Sequence, residues 1–251
     1  MVLLTFLLTA AGASLAHDYF ARTVWPNVLW GAIPLAATML VLRARARTHW
    51  PFRDFSESYF GWGWAVMLGY LLLFVLVSGV EPGDPKPLPY IVILNPIELV
   101  QIAILLVGVG WIRTLGETQL AGVAKPAMIG LAAIAFAWLN LTAARAVHFY
   151  AEAPYPLDRI LETDAWQTTT SILWAMTSLV LMGIGARRTL RPIWIVGAAL
   201  LALVIVKLFT IDLSNLEMVA RIISFITVGI LTLIIGYFAP IPPNRTQDAQ
   251  T

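Results

Sequence analysis

Long apolar runs alternate with short polar or proline-rich stretches along the whole chain, and the length of the runs decides the class of fold. About 20 apolar residues cross the hydrocarbon core of a bilayer. On that ruler eight candidate spans are read, at 2–16, 24–42, 62–80, 97–112, 127–149, 165–185, 192–211 and 217–238. The expectation is an all-α, polytopic transmembrane helix bundle, a single membrane domain over residues 1–251 with a disordered tail at 240–251. The first run is short, and Ser14-Leu-Ala16 has the small-x-small form of a cleavage site. It lacks the positive leading region of a signal peptide and is therefore read as a span. Pro26 and Pro34 predict a kink or an interfacial start in the second run.

Between spans three and four, Glu81-Pro-Gly-Asp-Pro-Lys-Pro-Leu-Pro-Tyr-Ile-Val-Ile-Leu-Asn-Pro96 cannot be a helix interior. Its Tyr90–Leu94 run is too short to cross, so an extended or interfacial loop is expected. The connection 151–164, with two prolines and four acids, reads as solvated.

Composition agrees with the pattern. The chain of 251 residues is 59% hydrophobic and 12% charged, against about 25% charged in soluble domains. A net charge of +2 gives nucleic-acid binding no support, and the absence of cysteine excludes disulfides and thiolate chemistry. His17, His49 and His148 fall in separate segments without ligand spacing, so neither a metal site nor a cofactor is expected.

Charge gives the orientation. Arg43, Arg45, Arg47, Arg53, Arg113, Lys125, Arg187, Arg188, Arg191 and Arg245 share the side of the N-terminus; the opposite side receives Arg22, Lys86 and Arg159. Ten against three places both termini in the cytoplasm under the positive-inside rule. The opposite loops are acidic, with Asp18, Glu81, Asp84, Glu152, Asp158, Glu162 and Asp164.

The candidate chemistry is the set of polar residues inside the spans. Asn95, Glu98 and Gln101 cover about 120° of a helix, one face. Asn140, Thr142, Arg145 and His148 close span five, and Gln167, Ser171 and Trp174 open span six as a stripe. Lys207 and Asp212 close span seven, and Arg221 and Ser224 open span eight. All fall in the external halves of their spans, which predicts one polar cavity near the external leaflet. Lys207 lies roughly 140° around the helix from Asp212, which leaves Glu98 as the acid best placed for it. Ser214-Asn-Leu-Glu217 is a capping box, and Glu217 and Arg221 are i,i+4 partners.

Three readings follow. Arg145, Lys207 and Arg221 exceed Glu98 and Asp212 by one charge, which suits binding or transport of an anionic or amphiphilic ligand, a lipid included. The same groups can serve as polar glue between helices, as in a scaffold with a membrane-protein partner. His17-Asp18, at the outer end of span one, is a candidate base pair for an envelope transferase.

The set Lys207-Leu-Phe-x-x-Asp212-Leu-Ser-Asn-Leu…Arg221-Ile-x-Ser-Phe carries a resemblance. With it go Gln167…Ser171-Ile-Leu-Trp174, Asn140-Leu…Arg145…His148, Asn95-Pro-Ile-Glu98 and the closing Gly-Tyr-Phe-Ala-Pro-x-Pro-Pro. Over residues 90–243 the chain resembles the bacterial predicted membrane protein family called domain of unknown function 2339, in its C-terminal part. The resemblance implies a bacterial inner-membrane protein and no particular chemistry.

Overall fold

The computed structural model describes residues 2–20, 23–44, 63–115 and 121–212, with isolated helical positions at 226, 229, 230 and 233. Among the described residues every regular element is helical: α1 (Val2–Phe20), α2 (Trp25–Ala44), α3 (Gly63–Gly79), α4 (Pro96–Leu115), α5 (Ala121–Tyr150), α6 (Leu157–Leu161), α7 (Asp164–Arg187) and α8 (Arg191–Lys207). A π-helical turn, Leu208–Asp212, extends α8. Seven of the eight expected spans thus have a helix within a few residues of the expected bounds. The eighth, with its 214–217 capping box, Arg221 and the tail, lies outside the described residues apart from those isolated positions.

Four stretches are long and apolar enough to cross a membrane, Pro96–Arg113, Gly122–Tyr150, Asp164–Arg187 and Arg191–Thr210, and Leu3–Asp18 and Ala65–Gly79 are shorter apolar helices. The largest departure from expectation is at α5, which begins at Ala121 rather than 127. Pro126 sits in its second turn, where it forfeits one helical hydrogen bond. The 151–164 connection is not wholly solvated, because α6 buries Ile160 completely and Ala153 is also buried.

The chain divides into two compact units, Met1–Ile160 and Leu161–Thr251. In the first, α2 packs against α1, α3 and α4, and α5 packs against α3 and α4. Its core is Leu35, Met67, Leu71, Val75, Ile104 and Val107, joined by a cluster of Val24, Val28 and Ile97. Pro34, inside α2, cannot donate to the carbonyl of Trp30, and the Tyr70 hydroxyl of α3 supplies that bond at 2.9 Å. The outer surface of these helices carries large apolar side chains: Leu73 and Val77 on α3 and Leu99 and Leu106 on α4 are all exposed.

In the second unit α7 packs along α8. Thr163 caps α7 through its hydroxyl, which accepts from the backbone N–H of Trp166. The two helices approach through glycine. A Cβ at Gly197 would lie 2.9 Å from the Ser178 carbonyl oxygen and 2.9 Å from the Met182 nitrogen. One at Gly185 would meet the backbone of Trp194. Close backbone approach through small residues is how helices associate where no hydrophobic effect separates helix from lipid. Gly197→Ala is therefore expected to lower stability by about 1–3 kcal/mol, read as the thermal midpoint of the purified protein in detergent. Gly183→Ala, whose Cβ meets nothing within 4 Å, should leave the midpoint unchanged or slightly raised.

Candidate functional site

The start of α4 is written in four residues. Asn95 caps the helix, its Oδ1 accepting the Ile97 N–H at 3.2 Å. Pro96 follows at the first helical position, where its missing N–H costs nothing. Glu98 comes next in the first turn, near the positive end of the helix dipole. Asn95 also donates from Nδ2 to the Gly83 carbonyl at 2.9 Å, which ties the helix start to the preceding loop.

Glu98 is fully buried. Its Oε2 accepts the Ile93 N–H at 2.5 Å, its Oε1 accepts the Tyr90 hydroxyl at 3.0 Å, and Arg145 Nη1 lies 3.7 Å from Oε1. Ile93 holds φ at +72°, a left-handed conformation that strains a β-branched residue and aims its N–H at the carboxylate. Burial, reinforced by the negative charge of Glu98, pushes the Tyr90 phenol well above the ordinary tyrosine range. Burial also raises the Tyr155 phenol.

Arg145, also at zero exposure, is the largest fully buried side chain among the described residues. Its Nη2 donates to the Ser78 carbonyl at 2.5 Å and its Nε to the Glu81 carbonyl at 3.1 Å. These carbonyls stand at the C-terminal end of α3, which ends at Gly79. The guanidinium thus caps α3 and neutralises the negative end of its dipole. Nη1 reaches Gln101 Oε1 at 3.4 Å. Gln101 is held in turn by Trp138 Nε1 at 2.9 Å, and it donates to Ser78 Oγ at 2.8 Å. Trp138 and Arg145 are seven residues apart on α5, two turns on one face. Gly83, with φ of +69°, passes so close that a Cβ there would lie 3.3 Å from Arg145 Nε.

Of the residues expected in a common site, Asn95, Glu98, Gln101 and Arg145 come together here. His148 stands apart from this network, with Nδ1 2.6 Å from the Ala153 carbonyl and its ring edge-on to Phe149 and Tyr155. Lys207 and Gln167 form a second cluster in the second unit. Lys207 Nζ donates to the Gln167 carbonyl at 3.0 Å and to Ser171 Oγ at 2.8 Å. The Gln167 side chain points elsewhere, its Nε2 donating to the Leu161 carbonyl at 2.8 Å. Glu98, the acid expected to serve Lys207, receives three donors of the first unit, from Tyr90, Ile93 and Arg145. Asp212 ends the π-helical turn. Arg221 lies outside the described residues. His17 and Asp18 are exposed at the end of α1. Among the described residues no group of three metal-ligating side chains is assembled.

Tyr90, Ser78, Glu81 and Trp138 belong to the Arg145 network although pattern alone did not select them. The Asn-Pro-x-Glu signature of a helix start was the available signal: it places Glu98 one turn in and turns it back over the loop, where Tyr90 and Ile93 lie.

Removing one member of a buried pair leaves the other uncompensated, at a cost of roughly 3–5 kcal/mol. Arg145→Met and Glu98→Leu should each lower the thermal midpoint sharply, and combining them should restore part of the loss. Strictly additive losses would show that the two groups do not act as a pair.

The comparisons with known proteins point one way. No curated protein and no solved structure matches the chain. A family model described as predicted membrane protein, domain of unknown function 2339, matches residues 1–242, which extends the likeness well beyond the 90–243 stretch that carries the motifs. The chain belongs to the predicted membrane protein family of domain of unknown function 2339.

Proposed function

We propose that this chain is a scaffold or assembly subunit of the bacterial inner membrane, whose external-end polar cluster is a structural lock. The observation that carries the reading is the occupancy of Arg145. Its donors go to the Ser78 and Glu81 carbonyls and Gln101, with Glu98 alongside, and the guanidinium is wholly buried. An anion at that position would have to displace these partners. The reading as a binding or transport site for an anionic envelope ligand therefore draws less support from this cluster. The transferase reading has only His17 and Asp18, exposed at the end of α1, to carry it. The partners are the lipid bilayer and another membrane protein.

The test is native mass spectrometry of the protein gently released from its membrane, alongside thermal unfolding with and without inorganic phosphate or citrate. A stoichiometric protein partner and an unmoved midpoint are expected. A midpoint raised by either anion in wild type and not in Lys207→Ala or Arg145→Lys, with no protein partner retained, would return the reading to anion binding.

In this reading the chain crosses the membrane about eight times with both termini cytoplasmic, supported by the bias of basic residues and by the positions of the helices. The natural absence of cysteine makes the orientation directly measurable. Lys86→Cys should react with a membrane-impermeant maleimide in spheroplasts, and Lys125→Cys only after lysis; the reverse pattern would invert the topology.

A further inference from the structure

Beside the Arg145 lock, α2 and α3 do not close fully against each other along their external halves. Between them lies a cleft of about 280 Å³ whose lining includes Asn27, Trp30, Tyr70, Leu73, Val77 and Glu81. Two cross-bridges frame it. At the inner end the Tyr70 hydroxyl donates to the Trp30 carbonyl, the acceptor that Pro34 leaves free. At the outer end the Asn27 amide donates to Glu81 Oε2. The wall between the bridges is almost entirely hydrocarbon and aromatic, and Leu73 and Val77 on its rim are exposed. In a bilayer this rim faces acyl chains, so the cleft is continuous with the lipid phase.

The charged group sits at one end only. Glu81 is exposed there; its backbone carbonyl is held by Arg145 Nε, and its carboxylate accepts from the Asn27 amide. An apolar slot with one anchored carboxylate at its mouth complements an amphiphile with a hydrocarbon chain and a cationic, N–H-bearing headgroup. The volume lies just below the ligand-site range of about 300–1,000 Å³. It suits a length of one chain rather than a whole lipid.

From this geometry we infer a lipid site between α2 and α3, taking one acyl chain of an external-leaflet phospholipid whose primary-amine headgroup meets Glu81. The ammonium of an ethanolamine headgroup can donate to Glu81 Oε1 while Asn27 keeps Oε2. A choline headgroup has no N–H to offer, and a glycerol headgroup brings a net negative charge toward the carboxylate. The inference rests on the membrane orientation proposed above and not on the scaffold reading, and it uses Arg145 only through the Glu81 backbone that it holds.

The test uses the full chain reconstituted in vesicles of equimolar phosphatidylethanolamine, phosphatidylcholine and phosphatidylglycerol with identical acyl chains, extracted gently and assayed for retained lipid. Wild type should retain phosphatidylethanolamine over both others by roughly two- to fivefold, the range expected of a solvent-accessible ion pair. Glu81→Gln should still retain lipid but lose the headgroup preference. Val77→Trp, and independently Leu73→Trp, should fill the slot and reduce retained lipid of every class, with thermal midpoints near wild type confirming that both fold. Equal retention of the three lipids by wild type would overturn the inference, as would a preference that survives Glu81→Gln or retention unchanged in both tryptophan variants.

Discussion

Arg145 is a full positive charge with no contact with solvent, and the end of the first unit where α3 stops and α4 starts is arranged around making that tolerable. An ionised group in a medium of low polarity carries a desolvation cost that one counterion rarely offsets. The Glu98 oxygen at 3.7 Å is too distant to do so alone. What completes the compensation is backbone. Arg145 stands at the C-terminal end of α3, where the Ser78 and Glu81 carbonyls accept from it, and Glu98 stands in the first turn of α4. Each charge occupies the helix end whose dipole favours it, so two helix termini and one ion pair satisfy each other. Planar guanidinium geometry matters here, because its nitrogens reach divergent acceptors at once.

That arrangement determines the loop between α3 and α4. Its carbonyls at 81 and 83 face Arg145 and Asn95, and its Ile93 N–H and Tyr90 hydroxyl face Glu98. The Tyr90 ring stacks on Phe149 at 4.2 Å between centroids, and the Tyr150 hydroxyl donates to the Tyr90 carbonyl at 3.2 Å. Contacts at both ends of α5's last turns thus press a proline-rich loop onto the helices it connects. The left-handed backbone at Ile93 is a conformation such a residue adopts only when its surroundings over-determine it. Here the surroundings are a buried carboxylate needing a donor.

The sequence carried the helices plainly and the site unevenly. Hydrophobic length located seven helices because a span must satisfy its backbone internally, whatever its neighbours are. Asn95, Glu98 and Gln101 were legible as one face because helical spacing is local. The choice of partner was not, since it depends on which helix ends meet. The helical angle that sets Asp212 away from Lys207 made Glu98 its candidate partner, and Arg145 reaches Glu98 because α3, α4 and α5 pack together. Tyr90, Ser78 and Glu81 were invisible for a similar reason. Ser78 and Glu81 meet Arg145 through main-chain carbonyls, which carry no side-chain identity to read.

The two clusters also show why equal charge in a sequence need not mean equal chemistry in a fold. Arg145 is enclosed by a fork of acceptors at a helix terminus. Lys207, half-buried in the last turn of α8, directs its ammonium to a serine hydroxyl and a main-chain carbonyl in the first turns of α7. A lysine ammonium is a compact point charge on a flexible stem, and it can retain partial hydration that a buried guanidinium has given up. Directly after it the helix widens into the π-helical turn Leu208–Asp212, a departure from regular winding that is frequent where function needs a backbone group exposed. The physical distinction is thus between a charge consumed in holding three helices together and a charge left near an irregular helix end. The first kind cannot change partners without dismantling the surrounding fold.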